Sequence, residues 1–421
     1  MIKTCDVLIV GSGVAGVYSA LNLNKNLKVL LICKENLRDC NSYLAQGGIS
    51  TALNNEDIPS YMQDTFAAGN FKNDTDAVET LVSESRENIE RLMDLNVQFD
   101  RNHDGTLNYT REGGHGTFRI VHIKDETGKF LMETLYEELH TRANIEVIEH
   151  CTLMDITKKD EKCIGGICEY KGSTLQIHAK STILATGGLG GLFTSTTNFA
   201  SLTGDGISIA LKNNIAIKDI NYLQLHPTVL YEKDSKGRRL LLSESLRGEG
   251  GKLKNLNGCE FVDSLKPRDV VSKAILKQIE KTPDRPYVYL DLTHLKKDFL
   301  TTRFPFLYNE CLNKGYAMEK DLLPVSPAHH YAMGGIKINL YGETSLKQLY
   351  ALGETACTGV HGSNRLASNS LLEGIVFGYR CAHKINDELF CYENTSYPSR
   401  EFLIKFLKER VDENYVKLLN Y

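Results

Sequence analysis

The first apolar positions come as an unbroken run, Val7-Leu8-Ile9-Val10, rather than in alternation, which predicts a buried strand. Gly11-Ser12-Gly13-Val14-Ala15-Gly16 follows, then a helix-compatible stretch to Asn22, and Val29 to Cys33 reads as a second short strand. From Asp76 to Leu95, apolar Val78, Leu81, Val82, Ile89 and Leu92 recur at helical spacing among charges, predicting one surface helix, and another is predicted near Lys129 to Arg142. Between Ile145 and Gly188 the period shortens. The runs IEVIEH, TLMDIT, CIGGICEY, STLQIHA and STILATGG predict a β meander returning to the sheet, with Cys163 and Cys168 flanking a hairpin through Gly165-Gly166.

From about Asn221 to about Met333 the α/β rhythm breaks, and this stretch holds most of the nine prolines. It reads as an insertion between two nucleotide-related blocks. The expected division is a nucleotide-binding domain over residues 1–220, an inserted domain over 221–333, a return to the first domain over 334–393 and a short helical tail over 394–421. The tail is expected to hold a helix from Arg400 to Leu419, and the helix before it should run from Asn369 to about Leu389. The fold class is α/β, a Rossmann-like domain with an inserted α+β domain.

At 421 residues the chain can hold two or three domains. A formal charge of −4 without long single-sign runs gives no reason to expect nucleic acid or an anionic membrane as partner. No apolar stretch approaches the roughly 20 residues of a membrane helix, and the first residues read as a strand rather than a charged leader, so a cytoplasmic protein is expected. Eleven cysteines without a C-x-x-C, several of them in apolar patterns, predict reduced and packed thiols, with neither structural zinc nor an iron–sulfur cluster; no metal site is expected.

Chemistry concentrates at the two ends and in the insertion. Gly11 permits the tight turn after the first strand, Gly13 lets the backbone approach a pyrophosphate, and Gly16 lets helix pack on strand. After the second strand, where an acidic ribose-binding residue usually stands, the chain has Lys34-Glu35. Ala185-Thr186-Gly187-Gly188 ends a strand at its carboxyl edge, and Thr203-Gly204-Asp205-Gly206 starts a helix that Asp205 could cap while also holding a ligand hydroxyl. Gly353 to Gly374, GETACTGVHGSNRLASNSLLEG, offers four glycines for close approach and Glu354 for ribose hydroxyls, with Ser368, Asn369 and Ser370 as caps for the apolar run from Leu371. The insertion carries His226-Pro227, Ser243-Glu244, Arg247-Gly248-Glu249-Gly250-Gly251, Pro267-Arg268-Asp269 and His329-His330-Tyr331. Each alone is an ordinary turn, histidine or ion pair.

Taken in order, these motifs resemble the flavoprotein family that contains L-aspartate oxidase and the flavoprotein subunits of succinate dehydrogenase and fumarate reductase. The resemblance runs from about Asp6 to about Leu389. It implies FAD in a two-dinucleotide-binding-type fold with a capping domain that closes over a dicarboxylate. Matching positions put FAD contacts at Ser12, Gly13, Val14, Ala15 and Gly16, beside Gly11, and at Lys34, Asn41, Ser42, Tyr43, Leu44, Ala45, Gln46, Gly47, Gly48, Asp205, Glu354, Ser370 and Leu371. Respiratory members attach flavin to a histidine just before Ala-Gln-Gly-Gly. That position is Asn41 here, so the FAD is expected to be noncovalent.

Arg111-Glu112-Gly113-Gly114-His115 resembles the segment whose glutamate orients a substrate ammonium, and a carboxylate beside a bound dianion is repulsive unless a cation lies between them. Glu112 therefore favours an amino dicarboxylate. By the same resemblance His226, Ser243, His330 and Arg365 hold carboxylates, Arg268 moves the proton, and Glu244 and Arg247 form a relay behind it. The implied reaction is oxidation of L-aspartate to iminoaspartate, the first step of quinolinate and NAD synthesis, with hydride to the flavin and reoxidation by oxygen or fumarate. Quinolinate synthase is the implied partner for the unstable imine. A soluble fumarate reductase or succinate-oxidising flavoprotein is the main alternative, and a noncatalytic FAD-binding protein a second. Longer relatives carry a helical carboxyl-terminal domain, whereas about thirty residues follow the matched core here.

Overall fold

The apolar run of residues 7–10 ends the strand Ile2–Val10, which lies in the middle of a seven-stranded sheet in the computed structural model; residues 1–232 and 237–394 are described, so the helix expected over Arg400 to Leu419 lies outside them. Val29–Ile32 and then Ile145–Ile148 stand parallel on one side, and Ser173–Leu184 and then Leu349–Ala351 stand parallel on the other. Because the strand is covered on both faces, its side chains feed two cores. Val7 and Ile9 face the helices Val14–Asn22, Thr127–Thr141 and Asn369–Asn394, whereas Leu8 and Val10 face Leu153, Ile177 and Ile209. The last of those helices lies close against the first: a Cβ on Gly374 would sit 2.8 Å from Val14 Cγ1.

Parallel pairing sends the ends of three strands to one edge. Gly11, Ala185 to Gly187 and Leu352 to Glu354 follow these ends, and all of them line one cavity. Residues 221–333 supply most of a six-stranded sheet built around Leu323–Ala332, packed on a core of its own that includes Leu242, Leu246, Val271, Ile275 and Leu290. Strand Ser195–Thr196, from the preceding segment, joins this sheet through Thr196 and His329.

Several local expectations are corrected. Residues 76–95 form two helices, Thr75–Ser83 and Ser85–Asp94, because the Ser85 hydroxyl bonds Val82 O and accepts from Ala52 N, a local alternative to continuing the helix. Gly165-Gly166 lies inside strand Lys162–Tyr170 and not in a hairpin turn. Gly165 has φ +122°, and a Cβ there would lie 1.9 Å from Ile177 O. The turns are at Asp160-Glu161 and Lys171-Gly172, with φ of 49° and 57° and of 50° and 69°, conformations matching two-residue hairpins. The run STLQIHA and residues 181–184 of STILATGG belong to a single strand, Ser173–Leu184.

Candidate active site

One cavity of about 620 Å³ runs from the first glycine turn to the inserted segment. Gly11 to Ala15, Lys34, Asn41 to Gly48, Asp205, Glu354, Ser370 and Leu371 all line it. Gly16 does not: a Cβ there would lie 2.2 Å from Gly11 O and 3.3 Å from Ala185 Cβ, so Gly16 serves the helix–strand packing. The first helix presents its amino terminus to the cavity with Gly13 as N-cap and no capping side chain, and Val14 N donates to Ser42 Oγ at 3.0 Å. Exposed N–H groups and the positive end of a helix suit a pyrophosphate.

Asp205 is not the cap of its helix. That position is Gly204 at φ +75°, while the Asp205 carboxylate accepts from Lys34 Nζ (3.0 Å) and Thr203 Oγ1 (2.6 Å). Lys34 thus stands at the edge of the cavity with its charge balanced. Glu354 Oε1 accepts Ala332 N at 3.0 Å, and burial raises its carboxyl to about 7 against the lowering effect of that N–H and of Arg365. These residues fit FAD: a helix amino terminus, a run of close-approach backbone and carboxylates for hydroxyl groups line one continuous volume.

At the far end stands a cationic cage. Arg268 donates from Nε to Glu244 Oε2 (2.6 Å) and from Nη1 to Gln224 Oε1 (3.0 Å). Arg247 Nη2 lies 2.7 Å from Glu244 Oε1, behind Glu244 and outside the cavity lining. Burial pushes the Glu244 carboxyl up, but Arg247 and Arg268 outweigh it and leave it lowered; burial and Arg268 lower Arg247. His226 and His330 meet edge to face with ring centroids 5.1 Å apart, and burial, then Arg268, holds both well below the ordinary histidine range. Both rings are therefore neutral near pH 7. His226 Nδ1 accepts Thr228 N, so its proton sits on Nε2, a buried atom with no partner among the described residues.

Arg365 enters the cage from the loop before the final helix. Nη1 donates to Ser370 Oγ (2.7 Å), Nε is buried without a partner among the described residues, and the guanidinium stacks on Tyr331 at 4.4 Å. Burial and Arg268 lower it to about 10. Behind Tyr331, its hydroxyl donates to Glu373 Oε2 (2.8 Å), which His361 Nε2 also meets, while Thr358 Oγ1 donates to Glu373 Oε1.

Glu112 is 4% exposed and lines the same cavity. Its Oε1 accepts Ser245 Oγ (3.0 Å) and its Oε2 accepts Ser368 Oγ (2.6 Å). The three expected caps of the final helix thus have other partners. Ser368 (φ 62°) holds Glu112, Asn369 Oδ1 accepts from Ser50 and Tyr61, and Ser370 accepts from Arg365. The Glu112 loop is fixed by Arg119, which is fully buried and paired with Asp57 (2.8 Å) and Asp64, and by His115 Nε2 on Ala367 O (2.9 Å).

Sequence reasoning missed Gln224, whose Nε2 donates to Asn364 Oδ1 and Arg365 O, both at 2.8 Å, while its oxygen takes Arg268. It also missed Ser245, Arg119 and the Tyr331–Glu373 contact. A buried-strand position occupied by glutamine, two residues before His226, was the available signal for Gln224.

A mixed sheet whose parallel strands end at one cavity, with a buried cage of arginines and histidines at its far end, defines an FAD-dependent oxidoreductase, and residues 6–371 match the family described as FAD binding domain. The chain is 51% identical over 384 residues to L-aspartate oxidase of Clostridium acetobutylicum, covering 91% of this chain and 88% of that protein. It is also 51% identical over 386 residues to the Clostridium perfringens protein of that name, covering 92% and 88%. A quinol-fumarate reductase solved with menaquinol superposes with TM-score 0.87 at 31% identity, covering 97% of this chain and 75% of that one; Mycobacterium smegmatis Sdh1 does so with 0.80 at 28%, covering 99% and 72%. The chain belongs to the L-aspartate oxidase family of FAD-binding proteins.

No helix among the described residues is long and apolar enough to cross a membrane, and ten of the cysteines, Cys5 to Cys381 in chain order, are free.

Proposed function

We propose that the protein oxidises L-aspartate to iminoaspartate, and the observation that carries this reading is the Glu112 carboxylate in one cavity with Arg268, Arg365, His226 and His330. When bound, FAD takes the hydride lost from the substrate α-carbon. The chain's own residues bind, orient and move the proton. Gly11 to Ala15, Lys34, Asn41 to Gly48, Asp205, Glu354, Ser370 and Leu371 hold FAD noncovalently, Asn41 being no covalent attachment point.

Arg365 Nε and His226 Nε2, two buried donors with no partner among the described residues, take substrate carboxylate oxygens, and His330 and Ser243 complete the set. A neutral His226 donates without adding a third full charge between the arginines. Glu112 receives the ammonium. Oxidation leaves an iminium after loss of a hydride from carbon and a proton from nitrogen, and Arg268 passes that proton to Glu244, while Arg247 favours the ionised carboxylate and so drives the proton onward from it. In this reading residues 221–333 are the cap that excludes water from the cage.

The reading implies a cytoplasmic setting and hand-over of the short-lived imine to quinolinate synthase, testable by co-purification and by a transfer advantage over free imine. The second reading, fumarate reduction, is favoured by the quinol-fumarate reductase likeness and by a cage that suits either dicarboxylate. An anaerobic visible spectrum separates the two. Bleaching of the yellow protein by L-aspartate and not by succinate supports the aspartate reading; bleaching by succinate alone refutes it.

A further inference from the structure

The selecting carboxylate, Glu112, is held from both parts of the chain: Ser368 belongs to the loop before the final helix, and Ser245 to the short helix Glu244–Gly248 of the inserted segment. Glu112, Ser243, Ser245 and Ser368 are 4%, 3%, 2% and 8% exposed, so water does not replace these contacts. Each hydroxyl has one proton to give. Ser245 gives its proton to Glu112 Oε1, so without substrate its oxygen accepts from Ser243 Oγ at 3.2 Å; a substrate carboxylate that takes the Ser243 proton leaves the Ser245–Glu112 bond in place. Each Glu112 oxygen keeps a further lone pair for a substrate ammonium.

We infer that Ser245 is a specificity-determining positioning residue, which aims the ammonium-selecting Glu112 from the inserted segment only while the helix Glu244–Gly248 is seated. Ser245 does not line the cavity and acts through Glu112. The inference rests on the proposed role of Glu112. A dicarboxylate without an amino group makes no use of that carboxylate, so loosening it acts on aspartate and spares fumarate.

The test is steady-state kinetics of the FAD-loaded protein with Ser245→Ala, Glu112→Gln and both together, each for aspartate oxidation and for fumarate reduction. Losing one hydrogen bond to a charged group predicts a rise in aspartate KM on the order of ten-fold for Ser245→Ala, with kcat and the fumarate KM little changed. Glu112→Gln is expected to hurt aspartate selectively, and the second substitution to add little to it, because both act through one group. Selective loss in Glu112→Gln with none in Ser245→Ala overturns the inference and leaves the aspartate reading standing. Equal loss for both substrates in Ser245→Ala marks a merely structural residue and also overturns it. Equal loss in Glu112→Gln removes the ammonium role, and the inference falls with it.

Discussion

Replacing Arg268 by leucine and Glu244 by glutamine should differ sharply in stability, although the two side chains touch and both lie on the proposed proton path. Arg268→Leu removes the contacts to Glu244 (2.6 Å) and Gln224 (3.0 Å) but leaves Glu244 with Arg247 at 2.7 Å. Breaking a buried pair costs about 3–5 kcal/mol when a charge is left alone; with a second cation in place the cost falls to about 2–3 kcal/mol. Fold and FAD binding are therefore retained. Loss of the proton-moving group should slow substrate reduction of the flavin by roughly 10²–10⁴-fold, about 3–5 kcal/mol of barrier.

Glu244→Gln instead removes the anion that both guanidinium groups touch, and Arg247 and Arg268 are 1% and 7% exposed. Two buried cations are left facing each other, and the cost should reach about 5 kcal/mol. Urea unfolding of the FAD-loaded proteins measures the stability difference, the flavin spectrum gives FAD content, and anaerobic stopped-flow absorbance gives the reduction rate with aspartate. Reduction of Arg268→Leu within about tenfold of the parent refutes the proton role. A Glu244→Gln protein no less stable than Arg268→Leu refutes the charge argument.

Gly165→Ala should destabilise by at least about 3 kcal/mol, since φ +122° excludes a side chain and the added Cβ meets Ile177 O at 1.9 Å; an unchanged thermal midpoint would contradict the geometry. Burial holds His115 at about 4, below its ordinary 6.5. A depressed histidine leaves its stabilising contribution intact above pH 6.5 and loses it as pH falls from 6.5 toward 4, about 3 kcal/mol for this one group. Urea melts at pH 7 and pH 5 should show that slope, reduced in His115→Gln, and an equal slope in both proteins would remove His115 as its source.

Legibility followed the range of the interaction. The strand at Val7 to Val10, the glycine turn after it and the helix from Asn369 were readable, because burial on two faces, a tight turn and helical periodicity are recorded within a few neighbouring residues. Gly165-Gly166 was misread for the complementary reason: paired glycines signal freedom of φ but not its use, and here the use is set by Ile177, a residue on the neighbouring strand. The hairpin turns were missed because Asp160, Glu161 and Lys171 adopt positive φ under the demand of strands that pair around them.

In the site, the sequence by itself determined the chemical inventory: the arginines, histidines and Glu112, and the glycines that line the cavity. Only the tertiary structure decided the partners. Glu112 meets Ser245 and Ser368 across sequence separations of 133 and 256 residues, Gln224 joins Arg268 to the Arg365 backbone, and Arg247 stands behind Glu244 rather than in the cavity. A residue type fixes what a side chain can donate or accept. Which partner answers it, and in which charge state, depends on groups the fold brings within about 3 Å after excluding water.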